Sequence, residues 1–224
     1  LAGERVAAIF VTHTHRDHSP LAKALGARTG APVMGCAPLA PAAGGPRADA
    51  GFDADYAPDH VMADGERMCG PDWTITAVAT PGHTSNHMCF AFEEARALFT
   101  GDHVMGWATT AVSPPDGDMA VYVASLEKLL SRDDAVYYPT HGAAVTAPHR
   151  LVRGMIAHRR QRERQILTSI AAGRSAIPAI VQRLYGGIDS RLHGAAGQSV
   201  LAHLIDLEQR GLVARSGDEW RSAA

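Results

Sequence analysis

Cysteine is scarce. The 224-residue chain holds three, Cys36, Cys69 and Cys89, an odd number without tight spacing. That excludes a disulfide scaffold and a four-cysteine zinc site, and the three read as small buried hydrophobes in a reducing cytosol. No uninterrupted apolar run approaches the roughly 20 residues that a membrane-spanning helix needs, so no membrane partner is expected. Internal repeats are absent, and no signal peptide is expected. Charge of one sign is also lacking: the net value is −2. What is present is enough apolar material, 46% of residues, for one good-sized domain with a small appendage.

The near-zero net charge hides an asymmetry. Residues 1–148 carry nine Lys and Arg against seventeen Asp and Glu, whereas residues 149–224 carry twelve against six. An acidic body with a basic tail points to two functional parts, 1–148 and 149–224, and a basic tail is suited to a polyanion.

Hydrophobic patterning places the elements. Val6–Val11, Ala31–Cys36, Trp73–Ala79, Met88–Phe92, Ala97–Thr100 and Ala135–Tyr138 read as strands. Pro20–Thr29 and Met119–Leu130 read as helices, and Ala37–Asp59, rich in Ala, Pro, Gly and Asp, as an irregular loop. This alternation predicts an α/β body. In the tail, His149–Ala172 reads as a long connector helix with a polar middle. Ser175–Leu184 and Gln198–Arg210 follow as helices. Leu212–Arg215 and Glu219–Arg221 flank the turn Ser216-Gly217-Asp218, outlining a winged-helix-like module.

The chemistry lies where strands hand over to loops. After the first strand comes Thr12-His13-Thr14-His15-Arg16-Asp17-His18. Later strands are followed by Thr80-Pro81-Gly82-His83, Thr100-Gly101-Asp102-His103 and Pro139-Thr140-His141-Gly142. One histidine at a strand end is ordinary structure. Four such clusters are not, because strand ends of one sheet lie side by side, and imidazole and carboxylate are the donors that suit zinc and similar ions. Two histidines at i and i+2 on an extended segment point the same way.

With HTHRDH, PGHTSNH, GDH and PTHG in this order, residues 6–145 resemble the metallo-β-lactamase superfamily. The resemblance implies an αβ/βα sandwich. It implies that His13, His15 and His83 hold one metal ion, that Asp17, His18 and His141 hold a second, and that Asp102 bridges the two. Zinc is the usual ion, with iron or manganese in relatives. It also implies a hydrolase with an activated water acting on an ester, thioester, lactam or phosphodiester, and the cysteine usage leads us to expect a cytoplasmic one. On this resemblance Asp17 and Asp102 are expected to be the catalytic carboxylates, Asp102 to space and neutralise the ions, and Asp17 also to orient the nucleophile.

The stretch from Gly101 to Leu129 and the tail SVLAHLIDLEQRGLV look like a β-lactamase-like subfamily that includes a single-strand endoribonuclease and carries a C-terminal winged helix. Substrates of two kinds therefore stay open, a small molecule or single-stranded RNA. Glyoxalase II-like thioester cleavage is the second enzymatic reading, and nucleic-acid binding through the tail a non-catalytic one. Arg159, Arg160, Arg162 and Arg164 are candidates for RNA phosphates, or for a solvated bridge between two lobes. His87 and His103 are candidates for contacts behind the ligands. Thr109, Thr110 and Ser113 are candidates for a pocket wall, and Trp107 for a stacking surface. The family has about 60–80 residues before the first motif, and here only Leu1–Arg5 precede the first strand. The N-terminal strands are therefore expected to be missing and the chain to be a fragment. Such a fragment is expected to aggregate or to hold metal poorly.

Overall fold

The computed structural model describes residues 3–39 and 51–223. The expected irregular loop therefore lies partly outside the described residues. The first strand is β1 (Ile9–Val11), followed by α1 (Pro20–Thr29), β2 (Val33–Gly35) and β3 (His60–Val61). These strands form a parallel sheet in the order β1-β2-β3. Pro20 starts α1 with a fixed φ, and Gly30 ends it in the left-handed conformation, φ 72°.

A second sheet contains β4 (Arg67–Cys69), β5 (Thr74–Ala79), β6 (Met88–Phe92), β7 (Ala97–Gly101) and β8 (Val136–Pro139), in that order. Its first four strands run antiparallel, and β8 joins β7 in parallel after the crossover helix α2 (Met119–Leu129). Asp118 caps α2, its carboxylate accepting from the Val121 N–H at 2.9 Å.

The expected elements recur with shorter or shifted ends. β1 covers half of the stretch expected from the apolar run. β3 and β4 fall where no strand was expected: both residues of β3 and the outer residues of β4 are exposed, so no buried alternation marks them.

Apolar faces close two cores in the body. One joins β2, β5 and β6 through Val33, Ala77 and Phe90. The other sets Leu98 and Tyr137 of the larger sheet against Tyr122, Leu126 and Leu129 of α2. The tail begins with the 24-residue α3 (Pro148–Ala171), whose first half sends Val152, Met155 and Ile156 into that body core. Its second half sends Ile166 and Ile170 into a separate core with α4 (Ile177–Tyr185), α5 (His193–Gln209) and the hairpin β9–β10 (Val213–Ser216, Glu219–Ser222). One helix thus belongs to both hydrophobic cores. α5 starts five residues before the expected Gln198, because Asp189 caps a short helical turn at Ser190–Leu192 that feeds directly into it. Among the described residues no helix is long and apolar enough to cross a membrane.

Candidate metal centre

Sheet topology explains why residues 70 positions apart meet. β5 and β6 are antiparallel, so the loop 80–87 joins them at one end of the sheet. β7 runs antiparallel to β6 and parallel to β8, with Gly101 beside Pro139, so Asp102 and His141 emerge at that same end. The Met88 N–H donates to the Thr12 carbonyl at 2.8 Å and ties the end of β1 to the start of β6. All four sequence clusters therefore converge.

Two glycines make this crowding possible. Gly82 has φ +127°, and a Cβ there would lie 2.3 Å from Tyr122 Cα. Gly101 has φ +51°, and a Cβ would lie 2.6 Å from His87 Nε2. No side chain fits at either place.

The first cluster is buried. His13 Nε2 stands 3.0 Å from His15 Nδ1, and His83 Nε2 stands 3.2 Å from the same atom. His83 Nδ1 is 2.6 Å from the Ala111 carbonyl, which can only accept, so Nδ1 carries the proton and Nε2 turns its lone pair inward. Burial, reinforced by the surrounding imidazoles, pushes the His13 pKa well below the ordinary histidine value. A neutral imidazole is the form that binds a metal.

The second cluster is open. Asp17 Oδ2 lies 3.3 Å from His141 Nε2 and 3.6 Å from His18 Nε2. The side chains of Asp17 and His141 are 48% and 37% exposed, whereas His18 is 4% exposed. Asp102 reaches both clusters. Its Oδ2 is 3.5 Å from His18 Nε2 and 3.8 Å from His83 Nε2, and its Oδ1 is 3.6 Å from His141 Nε2. Burial raises the Asp102 pKa, but His18, His83 and His141 outweigh it and hold the carboxyl below its usual value.

The donor set fits divalent ions. Three groups each bring their ligand atoms within 4.8 Å of one another: His13, His15 and His83; His13, His18 and Asp102; and Asp17, His18 and His141. Tetrahedral zinc with bonds of about 2.0–2.1 Å sets nitrogen ligands roughly 3.3 Å apart, close to the spacings in the first group. Asp102 Oδ1 and His18 Nε2 are buried without a hydrogen-bond partner. An orphaned carboxylate oxygen facing imidazoles is costly unless a cation takes its lone pair.

Behind the donors lies a hydrogen-bonded support. His87 Nε2 accepts from the Asp102 N–H at 3.1 Å, which leaves its Nδ1–H to donate to Thr80 Oγ1 at 2.9 Å. Thr110 Oγ1 donates to the Asp102 carbonyl at 2.7 Å. Asp102 is thus held at both its N–H and its C=O. His103 contributes differently: its ring packs on Tyr122, and its carbonyl accepts from the Tyr122 hydroxyl at 3.0 Å. Thr110 is buried beneath the site, Thr109 is exposed, and Trp107 is 75% exposed. Sequence reading missed Phe52, whose ring stacks on His15 at 4.9 Å. An isolated aromatic in an Ala-, Gly- and Asp-rich stretch was its only signal.

The arginines of α3 depart from the phosphate-contact expectation. Arg159 is 4% exposed and donates to the Thr110 carbonyl. Arg160 pairs with Glu127 at 2.7 Å, and Arg162 lies 4.2 Å from the Tyr185 ring. Of these four, Arg164 alone is exposed without an ion pair among the described residues, as are Arg150 and Arg153 earlier on the helix.

Fold and donor geometry together define a two-sheet α/β body with converging candidate metal donors and an appended winged helix. The family model "Metallo-beta-lactamase superfamily" matches residues 1–141, and "Beta-lactamase associated winged helix domain" matches residues 176–220. The chain belongs to the metallo-beta-lactamase superfamily.

It is 33% identical over 176 residues to the atrochrysone carboxyl ACP thioesterase AgnL7 of Paecilomyces divaricatus, covering 74% of this chain and 47% of the relative. It is 34% identical over 127 residues to the lactamase-like protein notP of an Aspergillus species, covering 57% of this chain and 38% of the relative. The chain spans about half the length, or less, of these relatives. In fold it is similar to a beta-lactamase domain protein from Burkholderia ambifaria, with TM-score 0.80, 20% identity, 100% of this chain covered and 76% of that one.

Proposed function

We propose that the chain is the metal-binding part of a hydrolase that cleaves acyl thioesters with two divalent ions, zinc foremost and iron or manganese as other occupants. The observation that carries the reading is the position of Asp102, whose two oxygens face the buried and the open histidine clusters at once. The thioester class is supported by relatives named as acyl-carrier thioesterases at 32–33% identity over about three quarters of this chain.

In this reading His13, His15 and His83 would hold the buried ion, Asp17, His18 and His141 the exposed one, and Asp102 would serve both clusters. When bound, the ions would supply an activated water and polarise the acyl oxygen. The chain's own residues do the rest. Asp102, kept ionised by its three imidazole neighbours, fixes the spacing of the two clusters. Asp17, at the exposed rim, would orient the attacking water and take its proton. Thr12 Oγ1, 3.0 Å from His13 Nδ1, and the Ala111 carbonyl orient the first-cluster rings so that their remaining nitrogens face inward.

Single-stranded RNA remains the second substrate class, on the strength of the winged-helix match. Of the four clustered arginines, Arg159, Arg160 and Arg162 are engaged within the protein, which lowers the charge that the cluster leaves for phosphates. The test is incubation of the chain with an S-acyl N-acetylcysteamine thioester, a single-stranded RNA and a chromogenic lactam, with and without chelator. Chelator-sensitive release of thiol alone is the expected result. RNA cleavage without thiol release would transfer the assignment to the nuclease reading, and turnover indifferent to chelator would overturn both.

A further inference from the structure

We propose that Arg159, on the helix leading into the tail, is a positioning residue for the metal centre and acts through the segment Thr110–Ala111. The inference rests on the dinuclear reading above. It begins from an oddity of burial. Arg159 lies in the most polar stretch of α3, yet it is 4% exposed, and among the described residues no carboxylate pairs with it. A buried guanidinium without a counter-ion is costly unless other groups compensate it. Two do: the face of Tyr122, 5.3 Å away, and the Thr110 carbonyl, to which Nη2 donates.

The segment that Arg159 grips supports two ligands from separate strand ends. Thr110 Oγ1 donates to the Asp102 carbonyl at 2.7 Å, with the His103 carbonyl as a longer acceptor at 3.1 Å. One residue on, the Ala111 carbonyl accepts from His83 Nδ1 at 2.6 Å. The same two residues therefore set the backbone of the bridging carboxylate and the tautomer of a ligand in the buried cluster. The third grip on the segment comes from the tail. Loss of it frees Thr110–Ala111 to move, and both ligands lose alignment together. Support of this kind behind metal ligands is worth about 10–100-fold in metal affinity.

The experiment is titration of the metal-free full chain with Co2+, followed by visible absorption, for wild type and four variants. Arg159→Met keeps the long stem but removes charge and donor, and Arg159→Lys keeps the charge without the fork. Thr110→Val removes the hydroxyl, and Thr110→Ser restores it. Thermal unfolding of each metal-free protein is recorded alongside.

Wild type takes two equivalents. Arg159→Met and Thr110→Val bind Co2+ about tenfold more weakly, and their pH of half-loading moves upward. Arg159→Lys falls between, and Thr110→Ser stays within about twofold of wild type. An Arg159→Met protein that melts lower but loads Co2+ with wild-type affinity and pH dependence makes Arg159 only a tie between tail and body, and overturns the proposal. Should that variant fail to fold, the Thr110 pair decides: both loading normally overturns the proposal, and weakening by Val with rescue by Ser sustains it. Wild-type chain that takes up no Co2+ overturns the dinuclear reading and this one with it.

Discussion

The two halves of the metal centre are built to different depths. His13, His15 and His83 are at most 8% exposed, whereas Asp17 and His141 open to solvent. The buried half is imidazole only, with two of its rings fixed by hydrogen bonds to the Thr12 hydroxyl and the Ala111 carbonyl. The open half mixes carboxylate and imidazole. On the proposed dinuclear reading, depth of this kind would separate holding from reacting: the buried cluster would retain its ion, and the open one would meet substrate. Asp102 belongs to both, so every perturbation of it blurs the difference.

That contrast orders the expected effects. Asp102→Asn is the largest: both clusters lose their shared anion, metal content by mass spectrometry falls below one ion per chain, and thioester turnover drops on the order of 10³ or more. His15→Ala against His141→Ala separates the halves. The first empties the buried cluster, and the second leaves one tightly held ion that resists dialysis. Equal loss from both would erase the proposed difference in depth. His87→Leu comes next, because it removes the acceptor for the Asp102 N–H; it weakens metal binding by about tenfold in an equilibrium titration.

A stability effect follows in the tail. Burial first, then Arg159, Arg162, His158 and Arg210, push the His203 pKa down to about 3. The native state thus refuses a proton that the unfolded chain accepts below roughly pH 6.5. Its cost is nil above that pH and grows as pH falls toward 3. His203→Gln therefore flattens the fall of melting temperature between pH 6.5 and 4. The smallest effect is Asp64→Asn, which breaks an exposed pair with Lys128 at 2.7 Å. It changes unfolding free energy by less than about 1 kcal/mol in urea titration.

Much of this was legible before any coordinates. His13, His15, His83, Asp102 and His141 each follow a run of strand-like sequence, and strand ends of one sheet must gather. The winged helix was readable from Val200, Leu204 and Leu207 at helical spacing and from the turn at Gly217. What stayed hidden were contacts made by groups without a period. Thr110 sits in a stretch that reads only as irregular, Phe52 in a stretch that reads as loop, and β3 and β4 bury too little to alternate. Arg159 misled for a physical reason. Four arginines close together on a helix look like a solvated face, and only the tertiary position of α3 turns one of them inward.

Metal content tests the central claim most directly. Because all seven donors already converge within the described residues, the purified chain, loaded with Zn2+ and dialysed, is predicted to hold two ions per molecule rather than to hold metal poorly as expected of a fragment, with His15→Ala keeping no more than one. A wild-type value near zero, or a value unchanged by substitution at all seven donors, would contradict the convergence of these four loops on a metal pair.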